Sequence, residues 1–343
     1  MGIWYATREA VLLTLEAADT SRSAYLIDRK IEAASRAAES CLHRRFYPAL
    51  VTVKYDWPNY QYVAPWQLWL DDNEAISIVT MTSGGVSIAA PDRLLRRGDG
   101  KQEPPYSYIE IDQDSSAAFQ AGTTWQEAIV LGLLAGWNDT DTSIAHATLS
   151  GAINTYVNTV VLNPATADYT LLGVGSLVLV GTERLIVTGR RYSTVSGQTL
   201  TSTINDFQAT TTVPVTSGAA FAVGETIYID SEKMRITEII NNNLICDRAY
   251  DGTVLAAHTS GAAVSAKRTF IVKRGALGTT AASHSNGDSA YVHEYPEPLP
   301  ELVTAEVCMM MGAAIHEDMK GYVDGLRDAA YYALGRVSRI GAI

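Results

Sequence analysis

The chain has 343 residues, 47% hydrophobic and 18% charged, with a formal net charge of −11. That length supports two or three domains with real cores. The acidic balance argues against a tight grip on nucleic acid, which needs a basic face. No apolar run approaches the ~18 residues of a membrane-spanning helix. Three widely separated cysteines, Cys41, Cys246 and Cys308, form no CxxC pair and predict buried free thiols. The opening MGIWYATREAVLL lacks the basic stretch and apolar run of a secretory signal. Ala6 stands where a myristoylation motif carries Ser or Thr.

Residues 7–45 read as helical. Ile27, Ile31, Ala34, Ala38 and Cys41 form one apolar stripe. His43, Arg44 and Arg45 suit a helix C-terminus, and Pro48 stops continuation. Strands follow. Val51, Val53, Tyr55 and Trp57 alternate with polar residues, and so do Trp66 to Leu70. Ile76 to Met81 turns at Ser83-Gly84-Gly85 into Val86 to Ile88. Tyr106 to Ile111 and Ala128 to Leu134 complete the set, with Asp92 to Pro105 read as a loop. Gly136-Trp137-Asn138-Asp139 marks a boundary, after which Thr, Val, Gly and Ala dominate.

Two motifs then occur twice. Val174 through Thr188 aligns without gaps to Val223 through Thr237, an offset of 49, and Thr269 through Val292 aligns to Asn243 through Ala266, an offset of 26. The order predicts one β unit cut open to receive its own copy. Residues 147–191 with 269–293 would form the outer repeat, and 202–266 the nested one. The copies share a frame: Arg248, Gly252, Thr253, His258 and Gly261 match Arg274, Gly278, Thr279, His284 and Gly287. The frame would make either twin ligand sites or turns at positive φ pinned by histidine. A broken-up duplicate that keeps its frame favours the second. Glu183 and Glu232 also match, as candidates for cross-strand pairs with Arg248 or Arg274 that would add little if exposed.

Pro296, Pro298 and Pro300 form a stiff joint. Glu301 to Lys320 reads as a helix with Leu302, Ala305, Met309, Gly312 and Ala313 on one side. From Gly321 the chain mixes glycine, aromatics and arginine. Tyr322, Leu326, Arg327, Tyr331, Tyr332, Leu334, Arg336 and Arg339 are the candidate partner interface, since aromatics and arginine dominate such surfaces. Alternatively, Val323, Leu326, Ala330 and Leu334 continue a helical core.

No GxSxG, P-loop, HExxH or GxGxxG motif occurs. His316-Glu317-Asp318 reads as a solvated helix face, and Asp71-Asp72 with Glu74, like Asp112 and Asp114, as strand-ending turns. No enzyme activity, cofactor or metal is expected. Acidity is uneven. Residues 1–145 carry 12 basic and 19 acidic groups, 146–294 carry 10 and 11, and 295–343 carry 4 and 7.

The stretch YATREAVLLTLEAADTSRSAYLIDRKIEAASRAAESCLHRRFYP, with YDWPN, WQLWLDDNEAISIVTMTSGG and PPYSYIEIDQDSSAAF, resembles the head-to-tail adaptors, or head–tail connectors, of siphophages of actinobacteria. The resemblance covers residues 5–137 and, more loosely, the C-terminal helix. GTERLIVTGRRY and RTFIVKRGALGTTAASHSNGD resemble insertions in that group. It implies an α+β fold: a small helical connector bundle with a β element, plus an inserted pair of nested antiparallel β repeat domains. The division would be an adaptor domain over 1–145, the insert over 146–294 and a completing helix and tail over 295–343. The implied job is a homo-oligomeric ring of twelve subunits in the virion neck, assembled in the host cytoplasm. Its partners would be the portal protein, the stopper or next tail-side protein and, through the insert, the capsid protein. Double-stranded DNA would pass through without sequence-specific binding, and an acidic ring would not trap it. The alternative is a surface- or carbohydrate-binding virion module acting through the repeats. That reading needs exposed aromatics, and all six tryptophans lie in residues 1–137.

Overall fold

A computed structural model describes residues 2–15, 17, 20, 23–59, 64–138, 147–164, 172–312 and 317–335. The chain divides into two compact units. One is Met1–Ala38 with Asp141–Ala276 and Thr280–Tyr332, the other Glu39–Thr140 with Leu277–Thr279 and Ala333–Ile343.

Helix α1 (Arg8–Thr14) starts at Thr7, whose hydroxyl accepts the Ala10 N–H at 3.1 Å. Helix α2 (Ala24–Leu42) buries Ile27, Ile31, Ala34, Ala38 and Leu42. The stripe thus ends on Leu42 and leaves Cys41 half-buried. Arg8 grips Asp28 through two bonds of 2.7 and 2.6 Å.

The second unit is built on seven strands, β1 (Ala49–Tyr55), β2 (Gln67–Trp69), β3 (Ala75–Ser83), β4 (Val86–Ser87), β5 (Arg93–Arg96), β6 (Tyr108–Ile111) and β7 (Ile129–Ala135). They form an antiparallel sheet in the order β1-β7-β3-β4 and a second in the order β2-β6-β5. Strict alternation on β7 turns Ile129, Leu131 and Leu133 into a core shared with Trp57, Leu68 and Ile109.

Ten strands form the third sheet, in the first unit. They are β8 (Ala147–Leu149), β9 (Thr159–Pro164), β10 (Leu177–Val180), β11 (Glu183–Thr199), β12 (Thr212–Pro214), β13 (Thr226–Ile229), β14 (Glu232–Ile240), β15 (Asn243–Asp247), β16 (Ala263–Lys273) and β17 (Ser289–Val292). The sheet closes twice. The first ring runs β11-β10-β17-β8-β9-β16 and returns to β11 through Ile186↔Lys273 to Arg191↔Thr269. The second runs from the first half of β16 through β13-β14-β15-β12. It returns to the end of β11 through the Leu200↔Val215 bridge and the Thr201 N–H to Pro214 carbonyl bond. The far halves of β11 and β16 pair from Ser193↔Ala266 to Thr199↔Ala263. Two six-stranded barrels therefore share two through-strands. Closure leaves neither barrel a free strand edge. Phe270, Val178 and Val187 fill the first barrel. Ile227, Met234 and Leu244 fill the second.

Helices α3 (Leu299–Met310) and α4 (Glu317–Leu334) follow. Helix α3 packs on α1. Arg327 binds Glu306 at 2.8 Å, and the Tyr322 hydroxyl donates to Glu301, joining α4 to α3. The single helix expected over 301–320 is instead broken after Met310, where Gly312 takes φ +74°.

The expected small helical connector bundle is not the architecture. Among the described residues strands hold 36% against 21% in helices, with closed six-stranded barrels and four α-helices in place of a bundle. The helical periodicity belongs to the two ends of the sequence. Most of the apolar surface between them lies on alternating strands, so the main cores form inside sheets.

Candidate functional site

The repeated frame folds into two buried acid–base nodes. In the first barrel, the Glu183 carboxylate takes Arg274 Nε and Nη2, each at 2.7 Å, the Gly275 N–H at 2.9 Å and the Ala282 N–H at 3.0 Å. His284 Nε2 lies 2.9 Å away. In the second, Glu232 takes Arg248 Nε and Nη2 at 2.7 Å, the Ala249 N–H at 2.8 Å and the Ala256 N–H at 3.0 Å. His258 Nε2 lies 3.0 Å away. The correspondence is atom for atom. Facing an acceptor-only carboxylate, each Nε2 carries the proton.

Both glutamates are fully buried, and Arg248 is as well. The sequence suggested surface pairs at these positions; burial makes them something else. Burial pushes the Glu183 carboxyl up, but Arg274, the Ala282 N–H, His284 and the Gly275 N–H outweigh it and hold it at about 2. Glu232 is likewise pushed up by burial, and Arg248, the Ala249 N–H, His258 and the Ala256 N–H bring it to about 2. The remaining guanidinium protons reach carbonyls. Arg274 donates to Asn154, Val157 and Ala282, and Arg248 to Asn205, Thr210 and Ala256. All five donors of each arginine are engaged. A carboxylate this saturated has no basicity to lend a reaction, so the nodes act as anchors. Gly252 and Gly278 sit at φ +77° and +84°, and Gly261 and Gly287 both at +87°. Two differences separate the copies. The arginine reaches the carbonyl three residues past Asn154 in the first, at Val157, and five past Asn205 in the second, at Thr210, so the second turn is two residues longer. His258 Nδ1 lies 2.7 Å from Asp230, whereas Gly181 stands at the matching hairpin position beside His284, whose Nδ1 is 4.0 Å from Asp288.

What the anchors hold is a turn. Ile153-Asn154-Thr155-Tyr156 and Ile204-Asn205-Asp206-Phe207 occupy matching places. Ile153 bridges His284 and Ile204 bridges His258. Asn154 Oδ1 accepts the Tyr156 N–H at 2.9 Å, and Asn205 Oδ1 accepts the Phe207 N–H at 3.2 Å. Tyr156 is 92% exposed and Phe207 66%. The pattern Ile-Asn-x-aromatic was the sequence signal for this pair. It is too short to stand out without the fold.

The candidate interface residues lie mainly on α4. Tyr322, Tyr331 and Tyr332 are exposed, while Leu334 is buried and Leu326 half-buried, on the stripe of Val323 and Ala330. Arg327 is tied to Glu306 and Asp324. Arg336 and Arg339 lie outside the described residues, as do His316 and the side chains of Glu317 and Asp318. Glu74 binds Arg44 at 2.8 and 3.0 Å, and Asp112 Oδ1 accepts the Asp114 N–H. Among the described residues no group of His, Cys, Asp and Glu could hold a metal ion, and no helix is long and apolar enough to cross a membrane.

A cavity of about 430 Å³ opens in the first unit between the segment after Ile3, the edge of the first barrel and the start of α3. Tyr5 and Tyr295 meet edge to face in its wall, with centroids 4.8 Å apart, and Glu294, Glu297 and Glu301 are the exposed groups of its lining. Set against known protein families, curated proteins and solved structures, the chain matches none of them.

Proposed function

We propose that the chain is a structural virion protein. In this reading it assembles as a ring that joins the portal at the capsid vertex to the stopper or tail and lets DNA pass. The supporting observation is the split character of α4. One stripe, Val323, Ala330 and Leu334, is buried in its own subunit, and Tyr322, Tyr331 and Tyr332 face outward. Rigid aromatics of this kind serve as interface anchors at low entropic cost. The sequence resemblance over residues 5–137 supplies the ring and its partners, and the net charge of −11 suits a DNA conduit. The proposal does not rest on a helical bundle.

Native mass of the full chain, alone and mixed with its cognate portal protein, tests the reading. A ring alone or a portal-dependent assembly is the expected result, lost in Tyr331→Ala/Tyr332→Ala with the monomer still folded. A chain that stays monomeric in both settings overturns it. Substitution is a cleaner probe than deleting 322–343, because that deletion also removes buried Val323, Ala330 and Leu334.

A further inference from the structure

The cavity of about 430 Å³ lies within one compact unit and has the size of a ligand pocket. Its lining changes character from the inside to the mouth. Trp4 and Tyr5 are buried, Tyr295 is half-buried, and Glu294, Glu297 and Glu301 are exposed. No lysine or arginine lines it. Its one histidine, His293, is buried and meets Tyr295 edge to face, with centroids 4.9 Å apart. The carboxylates keep capacity for a donor. Glu297 has no hydrogen-bond or ion-pair partner among the described residues. Glu301 accepts the Tyr322 hydroxyl on Oε1, which leaves Oε2.

We propose that this cavity binds an aliphatic polyamine, its methylene stem against the aromatic wall and its ammonium groups on the carboxylates at the mouth. Charge and shape select this ligand. Aromatic rings attract ammonium groups, and the attraction grows as water is excluded. An alkyl stem buries against apolar surface while its charged head stays near water, which is the gradient of this lining. A bare divalent cation would need oxygens converging on one point, and among the described residues no group of His, Cys, Asp and Glu could hold a metal ion. Separate carboxylates suit a ligand whose charges are themselves separated. An anionic ligand would meet three like charges with no lysine or arginine to offset them. All of the lining belongs to one chain and one unit, so the site needs no ring.

The test is isothermal titration calorimetry of the full chain with spermidine at about 0.15 M salt, where diffuse attraction to an acidic protein is screened. Magnesium chloride and N-acetyl-lysine methylamide are separate arms. Spermidine should fill one saturable site per chain. Tyr295→Leu should weaken it about tenfold, and Glu297→Gln about fivefold. Glu297 is exposed, so its variant keeps the test sound even if Tyr295→Leu melts early through loss of the contact with Tyr5. Absence of a saturable spermidine site overturns the proposal, as does an affinity kept by Glu297→Gln or by a folded Tyr295→Leu. Displacement of spermidine by magnesium at equal ionic strength would reduce the site to bare charge and overturn it. N-acetyl-lysine methylamide binding as tightly as spermidine would assign the cavity to a single side chain of a partner protein and likewise overturn it.

Discussion

Glu183 and Glu232 sit at one and the same place in two successive barrels, each closed over by an arginine fork, two backbone N–H groups and a histidine. The arginine comes from the same chain segment in each copy, yet Arg274 is 91 residues from Glu183 and Arg248 only 16 from Glu232. The first pair spans far more of the chain than the second, and its geometry is the same.

Removing one partner from either node strands a buried charge. Arg274→Ala and Arg248→Ala should each cost about 3–5 kcal/mol, read from denaturant midpoints. Lysine should rescue little, since one ammonium cannot reproduce a fork that reaches a carboxylate and three carbonyls.

Acid should loosen both barrels over a defined range. The folded-state values of Glu183 and Glu232 lie below the ordinary 4.5, at about 2. Their stabilisation is therefore complete above the ordinary value and is lost as pH falls towards 2. Denaturant midpoints measured from pH 7 to pH 2 should fall below about pH 4.5, and Glu183→Gln/Glu232→Gln should flatten that fall. An unchanged acid arm in the double variant would remove the nodes from the account.

Gly175 takes φ +105°, and a Cβ there would lie 2.6 Å from Trp4 Cε3. Gly261, at φ +87°, has open space around it. Gly261→Ala should cost only the backbone term of about 1–2 kcal/mol. Gly175→Ala should cost more by thermal melting, because the indole must also shift.

The cysteines should differ in reactivity. Burial pushes the Cys246 thiol up to about 12, and Cys308 is buried too, whereas Cys41 is half-buried. In the native protein a thiol reagent should label Cys41 first, and Cys246 only on unfolding.

Much of the local structure could be read from the sequence. Alternation located β1, β3 and β7, and the Ile27–Ile31–Ala34 stripe located α2. Strand β5 was hidden because Arg93–Arg96 is four residues long and lies in a stretch rich in charge, Gly and Pro. Helix α4 was legible only as the alternative, on the stripe of Val323, Leu326, Ala330 and Leu334, because Gly321 and Gly325 carry a helix cost of about 1 kcal/mol each that burying Val323, Ala330 and Leu334 overcomes. Barrel closure could not be read, because it depends on β11 meeting β16 across a long stretch of chain. The aligned Glu, Arg and His positions pointed to the nodes. Their burial depended on that closure, and so did the matching of Tyr156 with Phe207.

Hydrogen exchange in the two single glutamine variants tests the equivalence of the nodes most directly. Glu183→Gln should deprotect the Gly275 and Ala282 amides and leave Ala249 and Ala256 protected, and Glu232→Gln should do the reverse. Protection unchanged in both variants, or lost at all four amides in each, would contradict two separately anchored copies of one barrel.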